Sequence, residues 1–182
     1  MEESKEESRI IVLNSNIFFS SLIKEESFTR AALLFLKDTT NFKFLIPKTV
    51  ITEFKLHVGE IARKSKLTTS GVLFGFEKLL ENVEQTNELD LKEEIKESRK
   101  YVKDENDIPF VAVALKHKPS FILTYNKKDY KIQKLKKLDI LVLTPKEALD
   151  LIGVEKLELK TKEKRKRNLL SYLSKIKMFI KK

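Results

Sequence analysis

The sequence predicts an α/β domain of three layers, α/β/α, around a mostly parallel central sheet, followed by a basic helical tail. Three observations lead there. Four short apolar runs, Ile10–Leu13, residues 42–46, residues 121–124 and Ile140–Leu143, lack strict alternation, as strands covered on both faces do. Segments of helical periodicity lie between these runs, and that order favours a parallel sheet with helices on both sides. The chain's 182 residues, 41% hydrophobic, suffice for one ordinary domain with an appendage.

Each element has a local reason. Residues 9–22, RIIVLNSNIFFSSL, read as a buried strand running into a helix. In residues 28–37, Ala31, Ala32, Leu34, Phe35 and Leu36 mark a helix. Pro47 stands where a helix can start, and Val50, Ile51, Phe54 and Val58 continue at helical spacing. Residues 67–80 form another expected helix, the polar stretch 81–90 an expected loop, and residues 91–102 a further helix. Asp107-Ile108-Pro109 opens a helix whose Ile108, Val111, Ala112 and Leu115 share one face. Thr144-Pro145-Lys146-Glu147 combines a capping box with proline at the first helical position. The organisation expected is a flexible N-terminus at 1–8, one domain over 9–153, and a basic amphipathic tail over 154–182.

Composition narrows the chemistry. With no cysteine there is neither a disulfide nor a thiolate, and two histidines make a tetrahedral zinc site a poor expectation. The four glycines form no phosphate-binding loop, and the serines of FFSSL lack a nucleophile elbow. The charged start, MEESKEESR, has no apolar core of a signal peptide, and no run approaches the ~20 residues of a membrane span. A cytoplasmic protein is expected.

The net charge of +10 is uneven. From Glu155 onward eleven Lys/Arg face three acids, so the tail carries +8 and the body +2. The tail joins the cluster Lys164, Arg165, Lys166 and Arg167 to Leu169, Leu170, Leu173, Ile176 and Ile180 at helical spacing. It can neutralise RNA phosphates, pack on the domain or on a second copy, or meet a membrane or a partner's groove, with the membrane ranked last.

In an open α/β sheet, ligand sites gather beyond the carboxyl ends of the strands. Asn14 follows the first strand, Glu53 lies in the helix after the second, and Asp107 starts the helix before the third. Asp104 is one turn earlier, and Asp129 lies just past the third strand. Such carboxylates can hold Mg²⁺ or Mn²⁺ for phosphodiester hydrolysis, since hard cations prefer oxygen ligands. Each residue also has an ordinary use: Glu53 as a solvated helix charge, Asp107 as a helix cap, Asp129 as a loop acid. His57, on the face of Glu53, suits packing or exposure better than a place beside a ligand, and His117 suits the surface.

The order VLNSN, PKTVITEF, DENDIPFVAVAL, ILTYNKKDY resembles the PIN-domain nucleases, including VapC-type toxins of toxin–antitoxin modules, across residues 9–150. That family's motifs run Asp-x-Asn, a helix Glu, an Asp before an apolar helix, and Thr-x-Asn-x-x-Asp-Phe. The resemblance implies an endoribonuclease using Mg²⁺ or Mn²⁺, with RNA as substrate, an antitoxin protein as partner and a homodimer as assembly. It matches Glu53, Asp107 and Asp129 to the family's later acids. It gives Asn16, Thr124 and Asn126 a part in orienting phosphate or ligands, and leaves Asp104 as a spare ligand.

The departure is Asn14, which stands where the family has its first aspartate. An amide keeps an oxygen donor but loses a charge. At an effective dielectric of 20, two unit charges 4 Å apart interact by about 4 kcal/mol, so even a fraction of this weakens metal binding strongly. Asn14 thus leaves open a nuclease weakened by degeneration, an aspartate exchanged to silence a toxic enzyme, and a catalytically silent RNA-binding or assembly protein on the same fold.

Overall fold

The computed structural model describes residues 9–24, 27–39 and 42–156. Residues 1–8 and most of the proposed tail, with Lys164, Arg165, Lys166 and Arg167, lie outside the described residues. Five strands, β1 (Ile10–Leu13), β2 (Lys43–Pro47), β3 (Val83–Thr86), β4 (Ser120–Leu123) and β5 (Ile140–Leu143), form one sheet in the order β3-β2-β1-β4-β5. Every pairing is parallel, with Ile10 opposite Lys43 on one side and Ser120 on the other.

Eight α-helices accompany the sheet among the described residues: α1 (Ser15–Ile23), α2 (Phe28–Thr39), α3 (Thr49–Ser65), α4 (Thr69–Leu80), α5 (Lys92–Ser98), α6 (Ile108–Lys116), α7 (Ile132–Lys136) and α8 (Pro145–Lys156). Parallel crossovers are right-handed, so connections moving outward from β1 to β3 and those moving back from β3 to β5 leave their helices on opposite faces. The α/β/α layering expected from the sequence follows. Helix α6 lies over β1, β2 and β4 and is itself covered by α5. That double cover accounts for the burial of every residue from Phe110 to Leu115. Helices α1, α3 and α4 pack on one another, and their join is aromatic. Phe54 stacks on Phe76 with ring centroids 3.6 Å apart, while Phe18 meets Phe76 edge-on at 5.4 Å.

Three local expectations need correction. The segment 81–90 is not a loop: Val83–Thr86 is the edge strand β3, paired with β2. Its sequence, VEQT, has exposed polar residues at its centre because only one edge and part of one face meet protein, so it lacks an apolar run. Pro47 does not start a helix but ends β2; α3 begins at Thr49, whose backbone N–H donates to Glu88 Oε1 at 2.9 Å. The helix expected over 91–102 stops at Ser98, since residues 101–103 pair instead with the chain near Tyr130. The capping box at α8 is present as read: Glu147 N–H donates to Thr144 Oγ1 at 3.3 Å, and Thr144 N–H donates to Glu147 Oε2 at 2.8 Å.

No helix among the described residues is long and apolar enough to cross a membrane. The Phe54–Phe76 stack, buried where α3 meets α4, gives a stability test. Phe54→Ala is expected to cost about 3–5 kcal/mol, the usual range for emptying a buried aromatic site, measured as a lowered urea midpoint with an unchanged slope.

Candidate metal centre

The strand order reverses direction at β1 and β4, and their carboxyl ends form the switch point where an α/β sheet opens a crevice. The chain leaves β1 at Asn14, whose N–H donates to Leu123 O at 3.0 Å, and leaves β4 at Thr124. These two exits are joined through Asn16. Its Nδ2 donates to Thr124 Oγ1 at 2.9 Å, and its Oδ1 accepts from Tyr125 N–H at 3.2 Å. Thr124 Oγ1 also accepts from Asn126 N–H at 3.0 Å, which shapes the turn toward Asp129.

A second pairing brings the acids in. Val102 and Tyr130 form an isolated antiparallel bridge, with Lys103 N–H donating to Asp129 O at 2.7 Å and Lys131 N–H to Tyr101 O at 2.8 Å. This short ladder sets Asp104, which follows it on one side, against Asp129 on the other. Asp107 stands at the entrance of α6. One oxygen from each of Asp104, Asp107 and Asp129 lies within 4.8 Å of the others.

Each aspartate is anchored through one oxygen. Asp104 Oδ1 accepts from Asn106 N–H at 3.0 Å, capping the turn it begins. Asp129 Oδ2 accepts from the Asn126 amide. Asp107 Oδ1 accepts from Tyr130 Oη at 2.6 Å and from Asn14 Nδ2 at 2.9 Å. The second oxygen of each accepts no hydrogen bond from the described residues. Three half-anchored carboxylates around one point fit a hard divalent cation, which takes oxygen ligands and tolerates carboxylates bound through one atom.

Burial separates the three: Asp107 is only 6% exposed, Asp129 half-buried and Asp104 exposed. Desolvation pushes the Asp107 carboxyl above its ordinary range. Hydrogen bonds from Tyr130 and Asn14 oppose the rise, and the neighbouring Asp104 and Asp129 add to it. Tyr130, buried beside that carboxylate, has its phenol pushed well above the usual value by burial first and Asp107 next.

The other expected residues fall as follows. Glu53 is half-buried one turn into α3, which packs on α1, and stands outside the group of three. His57 Nδ1 lies 3.4 Å from a Glu60 carboxylate oxygen, with its ring 5.6 Å from that of Phe19. His117 ends α6, its N–H donating to Val113 O at 3.2 Å. The sequence does not single out Tyr130. Its only signal there is adjacency to Asp129, since nothing local says that its hydroxyl turns inward to Asp107.

A doubly wound parallel sheet here gathers three carboxylates at its switch point, an arrangement able to take a divalent cation. The family model of the PIN domain matches residues 12–128, more than half of the chain, and the chain belongs to that family. The match includes Asn14, Glu53, Asp104 and Asp107 and ends one residue before Asp129. No curated protein matches. Among solved structures, VapBC2 from Rickettsia felis bound to a DNA fragment from its promoter is similar, at 16% identity and a TM-score of 0.46. The similarity covers 74% of this chain and 98% of that one.

The raised carboxyl of Asp107 gives a pH dependence with a defined sign. A carboxyl that holds its proton more tightly when folded favours the fold at low pH; that contribution is lost as pH rises through the folded-state value. For the metal-free protein, the stability of Asp107→Asn relative to the unaltered chain is therefore expected to rise between pH 4 and pH 7. Urea unfolding at several pH values reads this, and a difference that stays flat or falls with pH contradicts it.

Proposed function

We propose that this chain is a divalent-cation-dependent endoribonuclease of PIN type, working with Mg²⁺ or Mn²⁺, its activity limited by the amide at position 14. The observation that supports this best is the convergence of Asp104, Asp107 and Asp129, distant from Asn14 in sequence, at the exits of β1 and β4. A cation held there would supply Lewis-acid polarisation of a phosphodiester and a water made acidic enough to attack. In this reading Asp107 and Asp129 hold the cation, Asp104 adds a solvent-facing oxygen, and Glu53 serves from the neighbouring helix. Asn16, Thr124 and Asn126 keep the two strand exits and Asp129 in place for the scissile phosphate. The basic cluster from Lys164 to Arg167 gathers RNA by neutralising its backbone.

A second reading, a silent RNA-binding or assembly protein, draws on one specific observation. The Asn14 amide is occupied by protein contacts at both ends: Nδ2 by Asp107 and Tyr130, Oδ1 by Asn16 N–H at 3.1 Å. Toxin membership, with an antitoxin and a homodimer as partners, belongs to the first reading. Exposed Leu56 on α3 and Leu73 and Phe74 on α4, two helices that pack together, offer apolar surface for a protein partner.

Two experiments test the proposal. With single-stranded RNA and Mn²⁺, the unaltered chain is expected to cleave slowly and Asn14→Asp faster by at least tenfold, a change worth about 1.4 kcal/mol of barrier. Asp107→Asn and Asp129→Asn are expected to abolish cleavage. If neither the unaltered chain nor Asn14→Asp cuts, with both folded, the silent reading replaces the enzymatic one. Separately, replacing Lys164, Arg165, Lys166 and Arg167 by alanine is expected to lower the slope of log affinity against log salt by about 3, at ~0.7 per phosphate contact on single strands. An unchanged slope removes RNA from the tail's role.

A further inference from the structure

The most buried acid of the cluster is held by two side chains that also hold each other. Asn14 Nδ2 donates to Asp107 Oδ1 at 2.9 Å and to Tyr130 Oη at 3.0 Å, and Tyr130 Oη donates to the same Asp107 oxygen at 2.6 Å. All three residues are buried, Asn14 and Tyr130 at 4% exposure each. We propose that Asn14 and Tyr130 act as one positioning unit for Asp107, committing its Oδ1 so that Oδ2 is the oxygen offered to a divalent cation shared with Asp104 and Asp129. Position 14 then serves the centre through Asp107 and not as a ligand. This rests on the divalent-cation reading above and assigns atoms within it.

The amide's orientation is dictated by its surroundings. Asn14 Oδ1 accepts from Asn16 N–H at 3.1 Å and from Ser15 Oγ at 3.4 Å, capping α1. Reversing the amide would set its NH₂ against the Asn16 N–H, donor to donor, and its carbonyl oxygen against a carboxylate. Both changes are costly in a buried site. The carbonyl oxygen is therefore spent on the helix start and only the NH₂ end meets the acids. Without a cation, an aspartate in this place would set two carboxylates against each other across a contact of hydrogen-bond length, with one Tyr130 proton for two acceptors, a repulsion that a bound divalent cation relieves.

Tyr130 is equally constrained. Its backbone is set by the bridge to Val102, its ring is buried, and its hydroxyl lies between Asn14 and Asp107. Asn14 and Tyr130 are in direct contact, and the phenol oxygen accepts the amide's second proton, which a phenyl ring at position 130 would leave buried and unpaired.

The test is calorimetric titration of the full chain with Mn²⁺, comparing Tyr130→Phe, Asn14→Ala and the double variant, with thermal midpoints in EDTA as a measure of folding. Tyr130→Phe keeps the ring and removes only the hydroxyl. Outer-shell partners of metal ligands usually alter affinity by roughly 10- to 100-fold, so each single variant is expected to bind Mn²⁺ at least tenfold more weakly. Because the two side chains act together, the double variant is expected to bind about as weakly as the weaker single one. A Tyr130→Phe protein that melts earlier in EDTA yet binds Mn²⁺ unchanged overturns the proposal, as do single effects that multiply in the double variant. Should Tyr130→Phe fail to fold, unchanged affinity in Asn14→Ala overturns it. Absence of Mn²⁺ binding by the unaltered chain overturns this proposal and the cation reading together, whereas binding indifferent to both substitutions overturns this one alone.

Discussion

The burial of one carboxylate, Asp107, at the mouth of an apolar sheet sets the terms for what surrounds it. A carboxylate removed from water must recover its lost hydration from fixed donors or from a cation. Here the donors are the Asn14 amide and the Tyr130 phenol, both on one oxygen. The carboxylates of Asp104, Asp107 and Asp129, with one oxygen of each within 4.8 Å of the others, define a place that favours positive charge. The sheet, the entry to α6 and the 101–103 pairing with 129–131 are what keep that place small.

The same arrangement explains how a neutral side chain can occupy the exit of β1 without damaging the fold. Among the described residues no buried side-chain nitrogen or oxygen lacks a hydrogen-bond partner, and Asn14 contributes to that by using both ends of its amide. Fold and charge are separable at this position: the amide satisfies the local geometry through hydrogen bonds at both ends while carrying no charge of its own.

Much of the fold is legible because its strands are buried on both faces and its longer helices carry periodic apolar stripes. The runs at β1 and β5 are recognisable to the residue, and the capping box at Thr144–Glu147 works through purely local contacts. Strand β3 is not legible, because an edge strand hydrogen-bonded on one side needs no apolar signature. Nor is the early end of α5, whose following residues are drawn into a bridge with a segment nearly thirty residues away. At the site, the acids announce themselves by type and by place after strands. Tyr130 does not, since its role depends on where its hydroxyl points.

By itself, then, the sequence determined the class of fold, the strand-to-helix exits and the acidic residues gathered near them, all of which follow from burial, periodicity and capping over a few neighbouring residues. Only the tertiary structure decided that Asp104 joins Asp107 and Asp129, that Glu53 stands outside their 4.8 Å group, and that the Asn14 amide is held in one orientation between the Asn16 N–H and the Asp107 carboxylate. Those outcomes depend on pairings between segments far apart in the chain. No local propensity encodes them, because the contacts that select them exist only once the sheet has closed.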